Sequence, residues 1–481
     1  MKSSLQLHNS LTGKKESLDT QLKIPGQVNL YSCGPTVYDY AHIGNFRSFL
    51  MADLLTRVLK YAGYNVTKVQ NITDVGHLTN DDLADADGDD KVAKKAKAEN
   101  KTAWDIAEFY TKAFIEDEAA LHIQTPNHRP KATEFVAEQI EMIKTLIEKG
   151  FAYQANGSVY FRTAKYKEYG KLSGNKLEDL QAGARVEIND EKESPLDFAL
   201  WKHADENHLM QWESPWGQGF PGWHIECSAM SQSLLPHTDI HTGGEDNAFP
   251  HHECEIAQNE CSHGYSIPVW LHAKHLLVDG QKMSKSKGNF FTIRDLLDKG
   301  YTGAEIRYAL LAAHYRTALN FTEDSLIQAR NSIARIQEAH RLIETHCKPE
   351  PDLSKKPQSD LVDQSRQKFM AALSDDLNVA EALATTFDLV GIALKKRGDE
   401  TLSPEEALQV VEFLEQDFNQ VFQVLDFSIN ELPSEVETLL QKRSEARLNK
   451  DFAASDKLRD EIKVLGWEVK DEADGQTVRP L

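Results

Sequence analysis

YSCGPTVYDYAHIGN, residues 31–45, joins the end of a predicted strand to the start of a predicted helix. Val28–Tyr31 is a short run of apolar, β-branched and aromatic residues, typical of a strand, and Gly34-Pro35 interrupts it. From His42 onward, apolar residues recur at three- and four-residue spacing, which predicts a helix. Because α/β proteins bind phosphate where a strand end meets a helix start, the segment predicts an α/β fold with an anion site.

The rest of the chain extends this unit. Residues 65–74 are a second predicted strand and complete a βαβ unit. Residues 151–216 change to aromatic residues, glycines and short β-like runs, and the α/β pattern resumes near residue 221. After residue 303 the pattern is helical. The predicted fold class is therefore α/β, with a doubly wound parallel-sheet (Rossmann-like) domain, a mixed insertion, an α-helical bundle and a small α+β tail.

The 481 residues exceed what one compact core holds, so several domains are expected. We divide the chain into the first half of the Rossmann-like domain (1–135), the inserted connective module (136–217), the second half of the domain (218–275), a region with a lysine-rich loop (276–328), the helical bundle (329–430) and the tail (431–481).

Composition and charge exclude several classes of protein. No apolar run approaches the roughly 20 residues that a membrane helix needs, so no membrane partner is expected. The N-terminus has no apolar core or cleavage site, and the five cysteines do not form a disulfide framework, which favours the cytoplasm. A net charge of -21 argues against non-specific coating of nucleic acid, so any such contact must come from local basic patches.

The helix start at His42-Ile43-Gly44-Asn45 is the first candidate phosphate site. Unpaired backbone N–H groups and the helix dipole favour an anion there. His42 and Asn45 are three residues apart, lie on one face and can donate to phosphate oxygens. Gly44 leaves room for a flat base to approach. On its own, an ordinary capped helix start is the commoner interpretation of such a segment.

The lysine-rich loop KMSKSKG, Lys282–Gly288, is the second candidate. Lys282 and Lys285 can bring positive charge onto a reacting phosphate, which is the main contribution of a protein to phosphoryl or nucleotidyl transfer. For an isolated run of charge, a solvated loop is again the commoner interpretation. A GxGxxG match at Gly217–Gly222 is rejected as a dinucleotide fingerprint, because it follows no clear strand and contains proline.

Cysteine, histidine and carboxylate side chains form a candidate zinc site, because zinc takes four such ligands. Cys33 and Cys227 are two candidates, and the segment HHECE supplies others. Spacing alone does not choose among His251, His252, Cys254 and Glu255, and it also admits Cys261. A lone cysteine is most often a small buried apolar residue, and this interpretation is applied to Cys261 and Cys347.

HIGN after a strand and KMSKS about 240 residues later resemble the two signature motifs of class I aminoacyl-tRNA synthetases. KMSKS is present letter for letter, whereas Asn45 replaces the histidine that commonly ends the first motif. In a doubly wound sheet the two motifs can meet at the switch point. The resemblance narrows to the cysteinyl-tRNA synthetase family over residues 28–325, on the segments CGPTVYD, NITDV, GARVE, DFALWK, PGWHIECSAM, GGED and FPHHECEIAQ.

The resemblance implies roles for individual residues. Zinc would be held by Cys33, Cys227, His251 and Glu255, with Cys33 also near the substrate cysteine. His42 and Asn45 would bind the ATP phosphates, Gly44 the adenine, and Gly243, Gly244 and Asp246 the adenosine, while Trp223 would form a wall of the amino-acid pocket. Lys282 and Lys285 would stabilise the transition state, with Lys285 also contacting ATP. Cys254 stands where the family usually has Asn, and Phe220 where an Arg often precedes PGWH.

The implied activity is ATP-dependent activation of L-cysteine, with Mg-ATP as co-substrate, and transfer to the 3' end of tRNA-Cys. One zinc per chain would select the substrate, since a soft thiolate binds zinc far better than an alcohol and a shape pocket rejects a near-isostere weakly. Residues 276–328 would contact the tRNA stem and residues 431–481 the anticodon, in a monomeric enzyme.

Two other functions remain open at this stage. The first is a ligase that passes activated cysteine to an amino sugar, and the second is a non-catalytic zinc- and RNA-binding relative. From residue 441 to residue 463 the tail has seven basic and five acidic residues, which suits an RNA-facing surface. Trp467 either stacks on a base or belongs to the core of the tail. The long C-terminal region argues against the amino-sugar ligase, and the intact KMSKS and ligand set argue against loss of catalysis.

Overall fold

A computed structural model describes residues 4–75, 78–80, 87–175, 191–205, 208–284, 287–347, 360–427, 433–472 and 475–480. Lys285 and the segment GARVE, residues 183–187, lie outside these ranges. The chain forms two compact units, residues 1–424 and 425–481, and each is described by itself. Among the described helices, none is long and apolar enough to cross a membrane.

The strands of the first unit are β1 (Gln6–Asn9), β2 (Lys14–Ser17), β3 (Gln27–Ser32), β4 (Asn65–Gln70), β5 (Leu78–Asn80), β6 (Asp87–Asp90), β7 (Ala152–Ala155), β8 (Ser158–Phe161), β9 (Phe198–His203), β10 (Trp212–Ser214), β11 (Gly217–Pro221), β12 (Ile240–Gly244), β13 (Val269–Ala273), β14 (Leu276–Val278), β15 (Gln281–Lys282) and β16 (Leu319–Phe321). Its helices are α1 (Ile43–Tyr61), α2 (Lys91–Glu99), α3 (Ala103–Ala120), α4 (Val136–Glu148), α5 (Trp223–Leu234), α6 (Glu253–His263), α7 (Ile293–Asp298), α8 (Gly303–Leu311), α9 (Glu323–Glu344), α10 (Leu361–Ser374), α11 (Val379–Gly398), α12 (Pro404–Glu412) and α13 (Asn419–Phe422).

A four-stranded parallel sheet in the order β13-β12-β3-β4 lies at the centre of this unit. The chain leaves β3, passes through α1 and returns as β4 on one side, whereas β12 pairs with β3 on the other side. The strand order therefore reverses between β3 and β12. At this point the Cys33 N–H donates to the Thr242 carbonyl over 3.1 Å. The predicted Rossmann-like fold is confirmed, and its switch point is where such sheets bind ligands.

Helix α1 is fixed in the core by buried charged side chains. Arg47, which is 3% exposed, donates to the carbonyl oxygens of Lys274 at 3.0 Å and Leu310 at 3.1 Å. Asp53 accepts from Arg57 at 2.8 Å and from Arg307 at 2.6 Å, and all three side chains are buried. These contacts attach the helix that begins at the HIGN segment to the surrounding helices.

The inserted module is a five-stranded antiparallel sheet in the order β10-β11-β9-β8-β7. Apolar residues of this sheet, including Phe161 and Trp201, form one core with residues of α4, α5 and α6. The GxGxxG segment is largely β11, and Gly219 lies directly against the Trp201 indole, which leaves no space for a side chain. Phe220 stacks on His208 with ring centroids 4.2 Å apart.

An N-terminal hairpin, β1 with β2, is bound at two places in the first unit. The Asp376 N–H donates to the Gln6 carbonyl at 2.8 Å, and the His8 N–H donates to Asp376 Oδ1 at 2.9 Å. Just after β1, the Ser10 N–H donates to the Trp270 carbonyl at 2.8 Å. The hairpin therefore joins the loop between α10 and α11 to strand β13.

The second unit is a small α+β domain, as predicted. Its elements are α14 (Ser434–Leu448), α15 (Phe452–Val464) and the antiparallel hairpin of β17 (Trp467–Glu472) and β18 (Gly475–Pro480). Val436, Ile462 and Val469 form its core, and Trp467 packs against them. This packing favours the interpretation of Trp467 as a core residue.

Candidate active site and metal centre

The HIGN segment and the KMSKS region are in direct contact. The Ile43 N–H donates to the Phe291 carbonyl at 3.0 Å, and the rings of His42 and Phe290 meet edge to face with centroids 5.2 Å apart. The Met283 side chain lies against Gly44, where an added Cβ would be 2.8 Å from Met283 Cε. Two segments far apart in sequence therefore meet at the switch point of the sheet.

A cleft of about 620 Å³ opens at the carboxyl ends of β3 and β12. Ten of the predicted site residues line it: Cys33, His42, Gly44, Asn45, Trp223, Cys227, Gly244, Asp246, His251 and Lys282. Gly243 and Glu255 lie behind this lining. The side chains of Tyr38, Tyr40, Thr73, Lys91 and His275 also line the cleft, and the residue patterns did not single them out because none stands in a spacing with a defined chemistry.

His42 and Asn45 form a reciprocal cap at the start of α1. The Asn45 N–H donates to His42 Nδ1, and the His42 N–H donates to Asn45 Oδ1, each at 3.1 Å. Since Nδ1 accepts, the neutral imidazole carries its proton on Nε2. Outside this cap, both side chains carry donor groups, His42 Nε2–H and the Asn45 amide NH₂.

The two glycines at the end of β12 have different surroundings. A Cβ on Gly243 would be 2.6 Å from Cε1 of His252, so this glycine makes room for that ring. Gly244 lines the cleft, and its N–H donates to Asn247 Oδ1 at 2.9 Å. Asp246 follows on the cleft side. Of the three residues predicted to hold adenosine, Gly244 and Asp246 face the cleft.

Below the cleft, four buried side chains form a cluster with metal-ligand chemistry. Cys33, Cys227, His251 and Glu255 each point one ligand atom into it, and these atoms lie within 4.8 Å of one another. His251 Nε2 is 3.0 Å from Glu255 Oε1, as expected for two residues one helical turn apart. Zinc binds two thiolates, an imidazole and a carboxylate at about 2.0–2.3 Å in tetrahedral geometry, and this donor set fits such an ion.

Burial and pairing between the side chains set the protonation of the cluster. Burial raises the pKa of the Cys33 thiol and raises that of Cys227 well above its usual value. Burial opposes ionisation of Glu255 and His251 as well, but His241 and His251 lower the pKa of Glu255 to about 2, and Glu255 raises that of His251 to about 10. Positive charge on the histidines thus stabilises the Glu255 carboxylate, and metal binding has to displace protons from His251 and from the two thiols.

Two more histidines, His241 and His252, adjoin the cluster. The sequence left His252 open as a candidate ligand and did not single out His241. Their ring nitrogens, with Cys33 and Glu255, form a second set of atoms with metal-ligand spacing. His241 Nε2 is 3.0 Å from Glu255 Oε2, and His252 Nε2 is 3.2 Å from Cys33 Sγ. The position of His241 on the same strand as Gly243, two residues earlier, follows from strand alternation. Sequence spacing does not show that the His241 ring reaches Glu255.

The structure separates Cys254 and Cys261 from the cluster. Cys254 Sγ is 3.3 Å from the Tyr169 hydroxyl, and both cysteines belong to the apolar core shared with the insertion. Helix phase explains this, because Cys254 precedes Glu255 by about 100° around α6. Trp223 stacks on the His251 ring, with centroids 4.4 Å apart, and lines the cleft beside the cluster.

Models of known protein families match both the N-terminal and the C-terminal parts of the chain. The catalytic domain of class I (C) tRNA synthetases matches residues 20–331, and the anticodon-binding domain of cysteinyl-tRNA ligase matches residues 430–479. A DALR domain matches residues 368–425. The chain belongs to the cysteinyl-tRNA synthetase family. The predicted family is confirmed, as is the predicted class of enzyme.

Full-length relatives agree with this assignment. The cysteine–tRNA ligase of Brevibacillus brevis is 43% identical over 482 residues, covering 98% of each chain. That of Chlamydia felis is 42% identical over 489 residues, covering 99% of this chain and 98% of the relative. The similarity to these cysteine–tRNA ligases therefore extends beyond the catalytic half of the chain.

Solved structures show the same fold at low sequence identity. The Mycobacterium tuberculosis methionyl-tRNA synthetase in complex with methionyl-adenylate has a TM-score of 0.61 and 13% identity, covering 89% of this chain and 96% of that one. A putative arginyl-tRNA synthetase from Campylobacter jejuni has a TM-score of 0.51 and 16% identity, covering 83% and 92%. The fold of this cysteinyl-tRNA synthetase family member is thus that of class I synthetases.

Proposed function

We propose that the chain is a cysteine–tRNA ligase that activates L-cysteine with Mg-ATP and transfers it to the 3' end of tRNA-Cys. The observation that carries the proposal is the position of the Cys33, Cys227, His251 and Glu255 cluster directly below the cleft formed by the HIGN and KMSKS segments. In this arrangement, the centre that would select the thiol and the site that would bind the nucleotide belong to one continuous cavity.

In the first step, the cysteine carboxylate attacks the α-phosphate of ATP, giving cysteinyl-adenylate and pyrophosphate. His42 Nε2–H and the Asn45 amide donate to phosphate oxygens, and Gly244 with Asp246 holds the adenosine. Lys282 and Lys285 place positive charge where negative charge builds up, so positioning and electrostatics lower the barrier without a general base. In the second step, the terminal ribose hydroxyl of the tRNA attacks the acyl carbon and releases AMP.

Cys33, Cys227, His251 and Glu255 would hold one zinc ion. When bound, zinc supplies a Lewis acid that prefers the substrate thiolate to the hydroxyl of serine. Trp223 closes the pocket over His251, so the substrate side chain is enclosed beside the ligands. Selection at this centre makes hydrolytic editing unnecessary.

The C-terminal unit would read the anticodon, and residues 276–328 would contact the stem, in a monomer that works in the cytoplasm. Support for the tRNA partner comes from the family match over residues 430–479. This match also disfavours the amino-sugar ligase, which does not require an anticodon-binding domain.

ATP–pyrophosphate exchange with cysteine and with serine, followed by transfer to tRNA-Cys, tests the proposal. Exchange with cysteine alone and transfer to tRNA-Cys are expected. Exchange without transfer would favour the amino-sugar ligase, and no exchange would leave a binding protein. Lys285→Ala should slow exchange by roughly 10²–10³-fold, whereas the neighbouring Lys287→Ala should change it little; equal effects would remove the proposed role of Lys285.

A further inference from the structure

Four side chains from four separate segments form a line of hydrogen-bonding contacts that ends on Cys33. Ser10 Oγ, just after β1, is 2.8 Å from His272 Nδ1 on β13. His272 Nε2 is 2.8 Å from His252 Nδ1, and His252 Nε2 is 3.2 Å from Cys33 Sγ. Each imidazole thus uses both of its nitrogens within the line.

The acceptor at the end of the line fixes the direction of every bond. A cysteine sulfur that binds a metal is a thiolate, and a thiolate only accepts hydrogen bonds. His252 must therefore donate from Nε2, which leaves its Nδ1 as an acceptor for His272 Nε2–H. His272 Nδ1 is then an acceptor for the hydroxyl of Ser10. One premise thus determines the tautomers of both histidines.

We infer that Ser10, His272 and His252 are positioning residues for the metal centre, acting as a chain of donors that orients the Cys33 sulfur. The inference rests on the zinc site proposed above and adds residues outside its ligand set. In this arrangement Nε2 of His252 donates to Cys33 and Nδ1 accepts from His272, which fits the ligand set of Cys33, Cys227, His251 and Glu255 proposed above.

Packing holds the chain in place. The His252 ring occupies the space that a side chain at Gly243 would fill, and it is fully buried. Ser10 is fixed through its own backbone, since its N–H donates to the Trp270 carbonyl at 2.8 Å. Partners of this kind around a metal site alter metal affinity by about 10–100-fold when they are removed.

The test measures zinc affinity of the full-length protein by competition with a chromophoric chelator, together with the absorption spectrum of the cobalt(II)-substituted protein. His272→Phe keeps a ring of similar size and removes both hydrogen bonds, so it should weaken zinc binding by about 10-fold. Ser10→Ala should weaken it by a smaller factor. Ser10→Thr, which keeps the hydroxyl, is the matched control and should bind as the unaltered protein does.

In the cobalt spectrum of His272→Phe, the sulfur-to-metal charge-transfer band should shift while its intensity stays that of two thiolates. Unchanged zinc affinity and unchanged spectra in both His272→Phe and Ser10→Ala would overturn the inference. So would a lower melting temperature of the metal-free protein with unaltered zinc affinity, since that assigns a structural role alone. Absence of zinc binding in the unaltered protein would instead overturn the zinc site itself.

Discussion

Asn45 and His42 hold each other in place at the entrance to helix α1, each accepting a hydrogen bond from the backbone N–H of the other at 3.1 Å. Asparagine at the last position of the first signature motif therefore caps the helix and still offers two amide hydrogens to a ligand. The substitution of the usual histidine is thus compatible with phosphate binding in this chain.

Asn45→Asp separates the two roles of this residue. The carboxylate keeps the oxygen that accepts from the His42 N–H and favours the helix N-terminus, so the melting temperature should stay the same or rise. Exchange activity should fall by at least 10-fold, because the amide donor is replaced by a charge that repels phosphate. Asn45→Ala should instead cost about 1 kcal/mol of stability. Full exchange activity in Asn45→Asp would contradict the phosphate-binding role.

The matched variants Cys227→Ser and Cys254→Ser test which of the two cysteines contributes to zinc binding. Cys227 lies within the cluster, whereas Cys254 contacts Tyr169 in the apolar core. Zinc content, measured by elemental analysis after dialysis, should fall below one per chain in Cys227→Ser and stay unchanged in Cys254→Ser. Cysteine-over-serine selection in the exchange assay should weaken only in the first variant. Zinc loss in both variants would mean that Cys254 contributes to the site.

Gly44→Ala should reduce ATP affinity without unfolding the protein. The new Cβ would approach Met283 Cε at 2.8 Å and the His42 ring at 3.0 Å, and it would occupy the side of the cleft assigned to adenine. We expect KM for ATP to rise about 10-fold, which corresponds to about 1.4 kcal/mol of binding free energy. Gly391→Ala, where nothing lies within 4 Å, is the control and should stabilise α11 by about 0.5–1 kcal/mol.

If the Met283 contact alone causes the loss, the double variant Gly44→Ala with Met283→Ala should regain normal KM. If the glycine is needed by the nucleotide, the double variant should remain impaired. The proposal for adenine binding requires the second result.

The buried Asp53 makes stability depend on pH. Burial alone would raise its pKa, but the guanidinium groups of Arg307 and Arg57 lower it to about 2. Since the unfolded value is about 3.9, ionised Asp53 stabilises the fold above that pH and loses this effect as the pH falls toward 2. Asp53→Asn should cost about 3–5 kcal/mol at pH 7, because it leaves buried positive charge unpaired.

Urea unfolding measures the difference in free energy of unfolding between the unaltered protein and Asp53→Asn. This difference should be smaller at pH 3 than at pH 7. Asp375→Asn is the control, because the pair of Asp375 with Lys15 is 57% and 41% exposed and such pairs contribute at most about 1 kcal/mol. An Asp53→Asn difference of equal size at both pH values would rule out the lowered pKa.

Sequence patterns were sufficient for the elements that local chemistry determines. The strand before Cys33, the helix after His42 and the helices of the C-terminal half follow from periodicity, capping residues and glycines. The switch-point rule predicted that HIGN and KMSKS meet, but the sequence did not show that the strands before KMSKS, β14 and β15, belong to a separate three-stranded sheet. The family and the enzyme class followed from motifs whose spacing is rare by chance.

What the sequence left open depends on three-dimensional packing. The choice between Cys254 and its neighbours needs the phase of α6, and this phase is set by the core of the inserted module. The line from Ser10 to Cys33 joins four segments with no shared spacing. Its rings face one another only because β12, β13 and the N-terminal hairpin pack side by side.

The N-terminal hairpin has a consequence for handling and engineering the protein. Its first strand is bound to Asp376, and Ser10, just after that strand, contacts His272, which contacts His252 beside Cys33. In the metal centre proposed above, a tag, a truncation or a protease cut near the first strand would therefore disturb a contact line that ends beside the amino-acid pocket, far away in the sequence.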